Sequence, residues 1–130
     1  MKFCKILTTT ALGLFLVGCA SHSTHSFYFN SGSTTLNEQA KSEIAMVAKD
    51  IKKADSSKVK VLGFADKLGT KEVNRRISEQ RAAAVKKQLV MNGVAPSKIK
   101  VKSYGESKQR VTTADNKDNK WNRRVEVEIH

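Results

Sequence analysis

Apolar side chains recur every three or four residues through Leu36, Ala40, Ile44, Val47 and Ile51, the period of a helix with one buried stripe. Thr35 followed by Glu38 supplies a capping box, so the spacing predicts a helix over about 36–53. Val73, Ile77, Val85 and Leu89 repeat the period, opened by Thr70 as N-cap and stopped near Asn92 by Gly93 and Pro96. Elsewhere the pattern alternates in twos: Phe27 and Phe29, Val59 and Val61, Ile99 and Val101, then Val125, Val127 and Ile129. These read as four strands with one face inward. The order βαβα followed by ββ predicts an α/β fold, a two-layer βαβαββ sandwich. Two helices cover one face of a mixed sheet, and right-handed crossovers join the parallel pairs. The chain between Gly105 and Trp121 has neither period and reads as a long functional or mobile loop.

The first residues do not fit that scheme. Lys2 and Lys5 precede an apolar run, Ile6 to Val17, too short to span a bilayer, which predicts an export signal over 1–18. Leu16-Val17-Gly18-Cys19 resembles a lipobox, so Cys19 is expected to be acylated, to begin the mature chain and to hold it in a membrane. Residues 19–26 are then a polar tether, and the folded domain occupies 27–130. Loss of Cys4 with the leader and lipidation of Cys19 leave no free thiol, which excludes a disulfide, a thiol nucleophile or a cysteine-ligated metal. His22 and His25 lie on the tether without a third ligand, so neither metal nor cofactor is expected.

Charge narrows the partner. The chain has 24 Lys and Arg against 12 Asp and Glu, a net charge of +12, of which the leader carries two. In an exported protein that excess points to an anionic wall polymer or lipid surface rather than to nucleic acid. Ala20, in place of a retention-signalling aspartate after the lipidated cysteine, favours the outer membrane, with the domain facing the periplasm.

Within the domain one position breaks the pattern. Arg81 stands in the middle of the apolar row of the second helix, and a guanidinium does not face a core without partners. Asn74 lies seven residues earlier, nearly two turns, and projects the same way, while Asp66 lies on the loop that feeds the helix. Carboxylate, amide and guanidinium together suit a zwitterionic ligand, the first taking an ammonium and the last gripping a carboxylate. From the pattern alone, a purely structural Asp66–Arg81 ion pair explains the same residues equally well.

Four ordered blocks extend this reading. Gly63-Phe64-Ala65-Asp66, then Gly69, Asn74, Ser78 and Arg81-Ala82, then Gly105-Glu106, then Asn122-Arg123-Arg124-Val125 resemble the OmpA C-terminal domain family, which includes peptidoglycan-associated lipoproteins. The resemblance covers about residues 27–130 and implies a βαβαββ sandwich that binds peptidoglycan. It assigns Asp66 and Arg81 to the diaminopimelate residue of the stem peptide. Asn74 and the arginines Arg123 and Arg124 support the pocket; Arg124, opposite Val125, is the preferred one of the two. Asn30 falls where the family usually has aspartate. Ala65 in place of threonine, Val73 in place of tyrosine, and Asn30 itself depart from the family pattern and are expected to weaken binding.

Two other functions compete. Lys58, Lys60, Lys98, Lys100 and Lys102 form a basic stripe that could hold anionic lipid or a partner in an envelope protein complex, although such stripes are commonly only a solvated face. A wall hydrolase needs paired carboxylates, an activated nucleophile or a metal, and the sequence offers none, so no enzyme is expected.

Overall fold

The computed structural model describes residues 22–54 and 58–130. The leader, Cys19 and the expected break at Asp55–Ser57 lie outside the described residues. Four strands, β1 (Ser23–Tyr28), β2 (Val59–Gly63), β3 (Ile99–Ser103) and β4 (Arg124–Ile129), are joined by helices α1 (Glu38–Lys53) and α2 (Lys71–Met91), with a short 3-10 turn at Pro96–Lys98. The order in the sheet is β1-β4-β2-β3. This is the expected two-layer sandwich, with one refinement. β1 and β2 run the same way but never touch, because the last strand is inserted between them, antiparallel to both. Only β2 and β3 form a parallel pair.

The core lies between sheet and helices. Val59, Val61, Val125 and Val127 are fully buried, and Ile44, Ala48 and Ile51 of α1 and Val85 and Leu89 of α2 close over them. Two expectations about element starts are corrected. The N-cap of α1 is Asn37, whose side chain accepts from the Ala40 amide at 2.7 Å. The Thr35–Glu38 capping box is absent: Thr35 bonds to Ser33 and Glu38 pairs with Lys41. Asparagine directly before the helix reaches the orphan amide as well as threonine would. The tether expected over residues 19–26 also yields to structure, because β1 already begins at Ser23. Its polar sequence hid it: Ser23 to Ser26 are held by backbone pairing to Ile129, Glu128, Val127 and Glu126 rather than by apolar burial.

The buried stripe of α2 is Asn74, Ser78, Arg81, Ala82, Val85 and Leu89. Val73 is 44% exposed and Ile77 only half-buried, so the first half of the helix presents a polar face to the molecule. That face approaches the sheet closely at Gly63. A Cβ there would lie 2.1 Å from the Ser78 carbonyl oxygen and 3.0 Å from Ala82 Cβ. The contact is backbone on backbone and cannot relax by a rotamer change. Gly63→Ala should therefore destabilise by about 3 kcal/mol or more, the upper end for overpacking. Gly32→Ala, at φ +67 with nothing within 4 Å of its Cβ, should cost only the roughly 1–2 kcal/mol of a left-handed residue. Urea melts of the two variants measure the difference, and similar midpoints would contradict the packing at Gly63.

Candidate functional site

β1 and β2 end side by side with β4 between them, and α2 begins above, so three loops and a polar helix face converge at one end of the sheet. A small cavity of about 90 Å³ opens there, lined by residues that include Ser31, Gly32, Asp66, Asn74, Ile77 and Arg81. Its volume equals roughly three waters at about 30 Å³ each, enough for the head of one side chain.

Arg81 forms the floor. It is 1% exposed, and its guanidinium donates to three backbone carbonyls: Nε to Ser33 at 2.9 Å, Nη1 to Phe64 at 3.2 Å and Nη2 to Asn30 at 3.3 Å. Its plane lies 5.3 Å from the centroid of Phe29. Burial pulls its pKa below the usual guanidinium range, to about 10, Asp66 opposing and Arg123 adding to the shift. The group is cationic throughout the physiological range.

Asp66 does not pair directly with Arg81. Its Oδ2 accepts from Arg123 Nη1 at 3.0 Å and from the Asn119 amide at 3.1 Å, and its Oδ1 takes a long bond of 3.4 Å from Leu68 N. Both side chains of this ion pair are close to nine-tenths buried or more, at 11% and 8% exposed. Arg123 Nε also donates to the Phe29 carbonyl at 3.0 Å, which ties the end of β1 to the Asp66 loop. Arg123 Nη1 also lies 3.7 Å from Oδ2 of the exposed Asp118, so the two buried guanidinium groups of Arg81 and Arg123 face one buried carboxylate and one at the surface.

The other expected residues divide. Asn74 is buried at the cavity and donates to Glu106 Oε2 at 2.7 Å. Asn30 contributes its backbone carbonyl to Arg81, while the residue itself is exposed. Arg124 is not brought to the site. Its Nε binds Glu126 at 2.8 Å and its guanidinium lies 3.9 Å over Phe64, on the opposite face of the sheet. The physical reason is strand alternation: Arg123 shares parity with Val125 and faces the helices, whereas Arg124 shares parity with Glu126 and Glu128. That alternation already pointed to Arg123.

The long loop after Gly105 is ordered rather than loose. Buried Asn122 accepts from the amides of Arg110 and Val111 and donates to the Val111 carbonyl, and Gln109 donates to the carbonyls of Ala65 and Glu106. Among the described residues there is no cluster of side chains able to hold a metal and no helix long and apolar enough to cross a membrane.

The carbonyl cradle gives Arg81 a structural role. Arg81→Lys should destabilise by about 2–4 kcal/mol, since one ammonium cannot reach three diverging oxygens and bonds to a charged donor contribute about 1.5–3 kcal/mol each. The folded pKa is depressed, so the burial penalty is complete below about 10 and relieved only as pH rises through about 10 toward the ordinary guanidinium range. The stability difference between wild type and Arg81→Met, whose side chain does not titrate, should thus be the same at pH 6 and pH 8. Denaturation at both values checks this, and a difference that changed with pH would contradict a permanently cationic Arg81.

Comparison with known proteins agrees with this architecture. A model described as the OmpA family matches residues 28–124. The peptidoglycan-associated lipoproteins of Pseudomonas putida and Pseudomonas aeruginosa are 39% and 37% identical over 101 residues, 78% of this chain. The chain spans 60% of the length of these two relatives. The crystal structure of the peptidoglycan-associated lipoprotein from Burkholderia pseudomallei superposes with a TM-score of 0.74 at 26% identity, covering 81% of this chain and 89% of that one. The C-terminal domain of Helicobacter pylori MotB does so at 0.69 and 30% identity, covering 79% and 81%. The matched stretch takes in Asn30 and the residues of the four sequence blocks that the site reading singles out, Asp66, Asn74, Arg81, Arg123 and Arg124, and with the shared fold it shows that the chain belongs to the OmpA family.

Proposed function

We propose that this domain binds peptidoglycan without catalysing a reaction, taking the diaminopimelate of a stem peptide into the Asp66–Arg81 cavity, and that an acylated Cys19 tethers it to the outer membrane. The observation that carries the reading is the cavity's charge arrangement: a permanently cationic, carbonyl-cradled Arg81 beside a carboxylate whose Oδ1 has only one long bond. The free end of diaminopimelate is an ammonium and a carboxylate on one carbon, about the size of the cavity, and each charge has its complement within it. The names of the Pseudomonas relatives support the same ligand. Arg123 fixes the Asp66 carboxylate, and Asn74 with Glu106 forms one wall. Nothing in this arrangement activates a water or a nucleophile, so the role is retention. With β1 starting at Ser23, four residue steps separate it from Cys19, at most about 14 Å of chain, which would hold the domain against its membrane.

Sedimentation with purified insoluble wall tests the ligand. Diaminopimelate-type wall should retain the protein, and lysine-type wall, which lacks the side-chain carboxylate, should bind at least tens of times more weakly, the equivalent of about 2–5 kcal/mol for one lost charged partner. Asp66→Ala should abolish most binding, and Arg124→Ala should leave it unchanged. Equal retention by both walls, or adhesion that survives Asp66→Ala and disappears only with salt, would transfer the function to the lysine stripe. For the anchor, Cys19→Ser should release the protein from the membrane fraction once the wall is digested, because acyl burial supplies about 0.8 kcal/mol per methylene. A variant that stays in the membrane would refute the lipid anchor.

A further inference from the structure

The face of the sheet opposite the helices holds a second concavity, of about 410 Å³, unrelated to the Asp66 cavity. A lateral stack crosses its wall. Arg124 lies 3.9 Å over Phe64, Phe64 stacks on Tyr104 at 5.3 Å and 20°, and Lys108 Nζ lies 4.2 Å over Tyr104. Two cations are thus fixed at the ends of a two-ring stack, an arrangement that orients charge without requiring a carboxylate at each end.

Two polar atoms in this lining are buried and have no hydrogen-bond partner: Arg124 Nη1 and Gln109 Oε1. The Arg124 side chain is 7% exposed, and only its Nε is engaged, by Glu126. Natural proteins rarely leave such atoms unsatisfied, because each costs about 1–3 kcal/mol, so each exception calls for a partner, an ordered water or ion among the candidates. Gln109 is held in position by its other amide atom, which donates to Ala65 and Glu106, so Oε1 is fixed where it is.

The ligand's chemistry follows from what these atoms lack. Nη1 needs an acceptor and Oε1 needs a donor, so the ligand presents both. Lys60, Lys102 and Lys108 with Arg124 outnumber Glu126 and Glu128 in the lining, so the ligand is an anion. The two glutamates and the concave shape disfavour a flat lipid surface or a polyanion, which would meet repulsion along its length. The partly exposed ring of Tyr104 offers an apolar edge, with Phe64 buried behind it. We infer that this face binds an acidic sugar, a hydroxylated ring bearing one carboxylate or phosphate, with the anion on Arg124 and a hydroxyl donating to Gln109 Oε1. This inference does not depend on the Asp66 cavity, which lies on the other side of the sheet and is read by a different probe.

The test is titration of the full chain, followed by amide chemical shifts, with N-acetylmuramic acid as carboxylate, N-acetylglucosamine 1-phosphate as phosphate, and neutral N-acetylglucosamine. At least one acidic sugar should bind tenfold or more tightly than the neutral one, and the tighter of the two identifies the anion's source. Arg124→Gln and Lys108→Gln should each weaken that sugar at least fivefold while leaving stem-peptide binding unchanged; Asp66→Asn should do the reverse. Lys108 is exposed, so its variant carries the test even if Arg124→Gln does not fold. Failure of both acidic sugars to bind, equal binding of the neutral sugar, inorganic phosphate binding as well as the sugar phosphate, or indifference to Lys108→Gln would each overturn the proposal.

Discussion

A guanidinium removed from water must be given oxygen atoms, and the way Arg81 meets that demand organises the functional end of the molecule. Its three acceptors, the carbonyls of Asn30, Ser33 and Phe64, come from the loop after β1 and from the end of β2. Burial of Phe29, Leu36, Phe64 and Ala65 anchors the apolar parts of these loops, and hydrogen bonds must place the polar stretches between. Arg81 draws both onto α2 and leaves the charge uncancelled by any direct carboxylate. A buried ion pair with Asp66 would have neutralised it. Because carbonyls carry the solvation instead, the positive field survives for an incoming anion, at the cost of the depressed pKa that burial imposes.

β4 distributes charge to the two faces of the sheet from consecutive residues. Arg123, at its threshold, faces the helices, reaching Phe29 and Asp66, while Arg124 faces away and lies on Phe64. This is possible only because β4 is inserted between β1 and β2, where its first residues stand at the centre of the sheet end rather than at an edge. The close approach at Gly63 has the same origin. With β2 next to the centre and α2 directly above, the helix backbone sits on the strand, and Ser78 can accept from the Gly105 amide to hold the next loop.

Much of this was legible in the sequence, and the failures share a cause. Periods of 3.6 and 2 located both helices and three strands; apolar burial holds the helices, β2 and β4, whereas β3 buries Ile99 alone and leaves Val101, expected inward, 40% exposed. β1 was read too short because backbone pairing to β4 holds its polar first half, and pairing leaves no mark on side-chain pattern. On α2 the apolar row through Val73 and Ile77 and the true buried row through Asn74 and Ser78 differ by one residue, a rotation of about 100°, and converge at Arg81, Val85 and Leu89. Hydrophobicity selects the first; the molecule uses the second, because a surface that lines a ligand cavity is polar where a core surface would not be. Asp66 and Arg81 were found, but their connection through Arg123 and three carbonyls was not. Backbone acceptors have no residue type and so no signature.

The departures from the family pattern can be weighed on the same terms. Ala65 is almost fully buried, and the loop uses its backbone: the amide donates to Gly105 and the carbonyl accepts from Gln109. A hydroxyl there is not needed to hold the loop. Asn30 lies on the exposed rim with its carbonyl turned to Arg81, so the loss of an aspartate alters charge without removing a bond from the cradle. Arg81 and Arg123 are already matched in number by Asp66 and by the exposed Asp118, 3.7 Å from Arg123, so an aspartate at position 30 would add a negative charge that asparagine withholds. For the zwitterion proposed above, the consequence is divided: weaker attraction for its ammonium at the rim, as the sequence suggests, and less competition for its carboxylate at the floor, where the dielectric is lower and each charge counts for more.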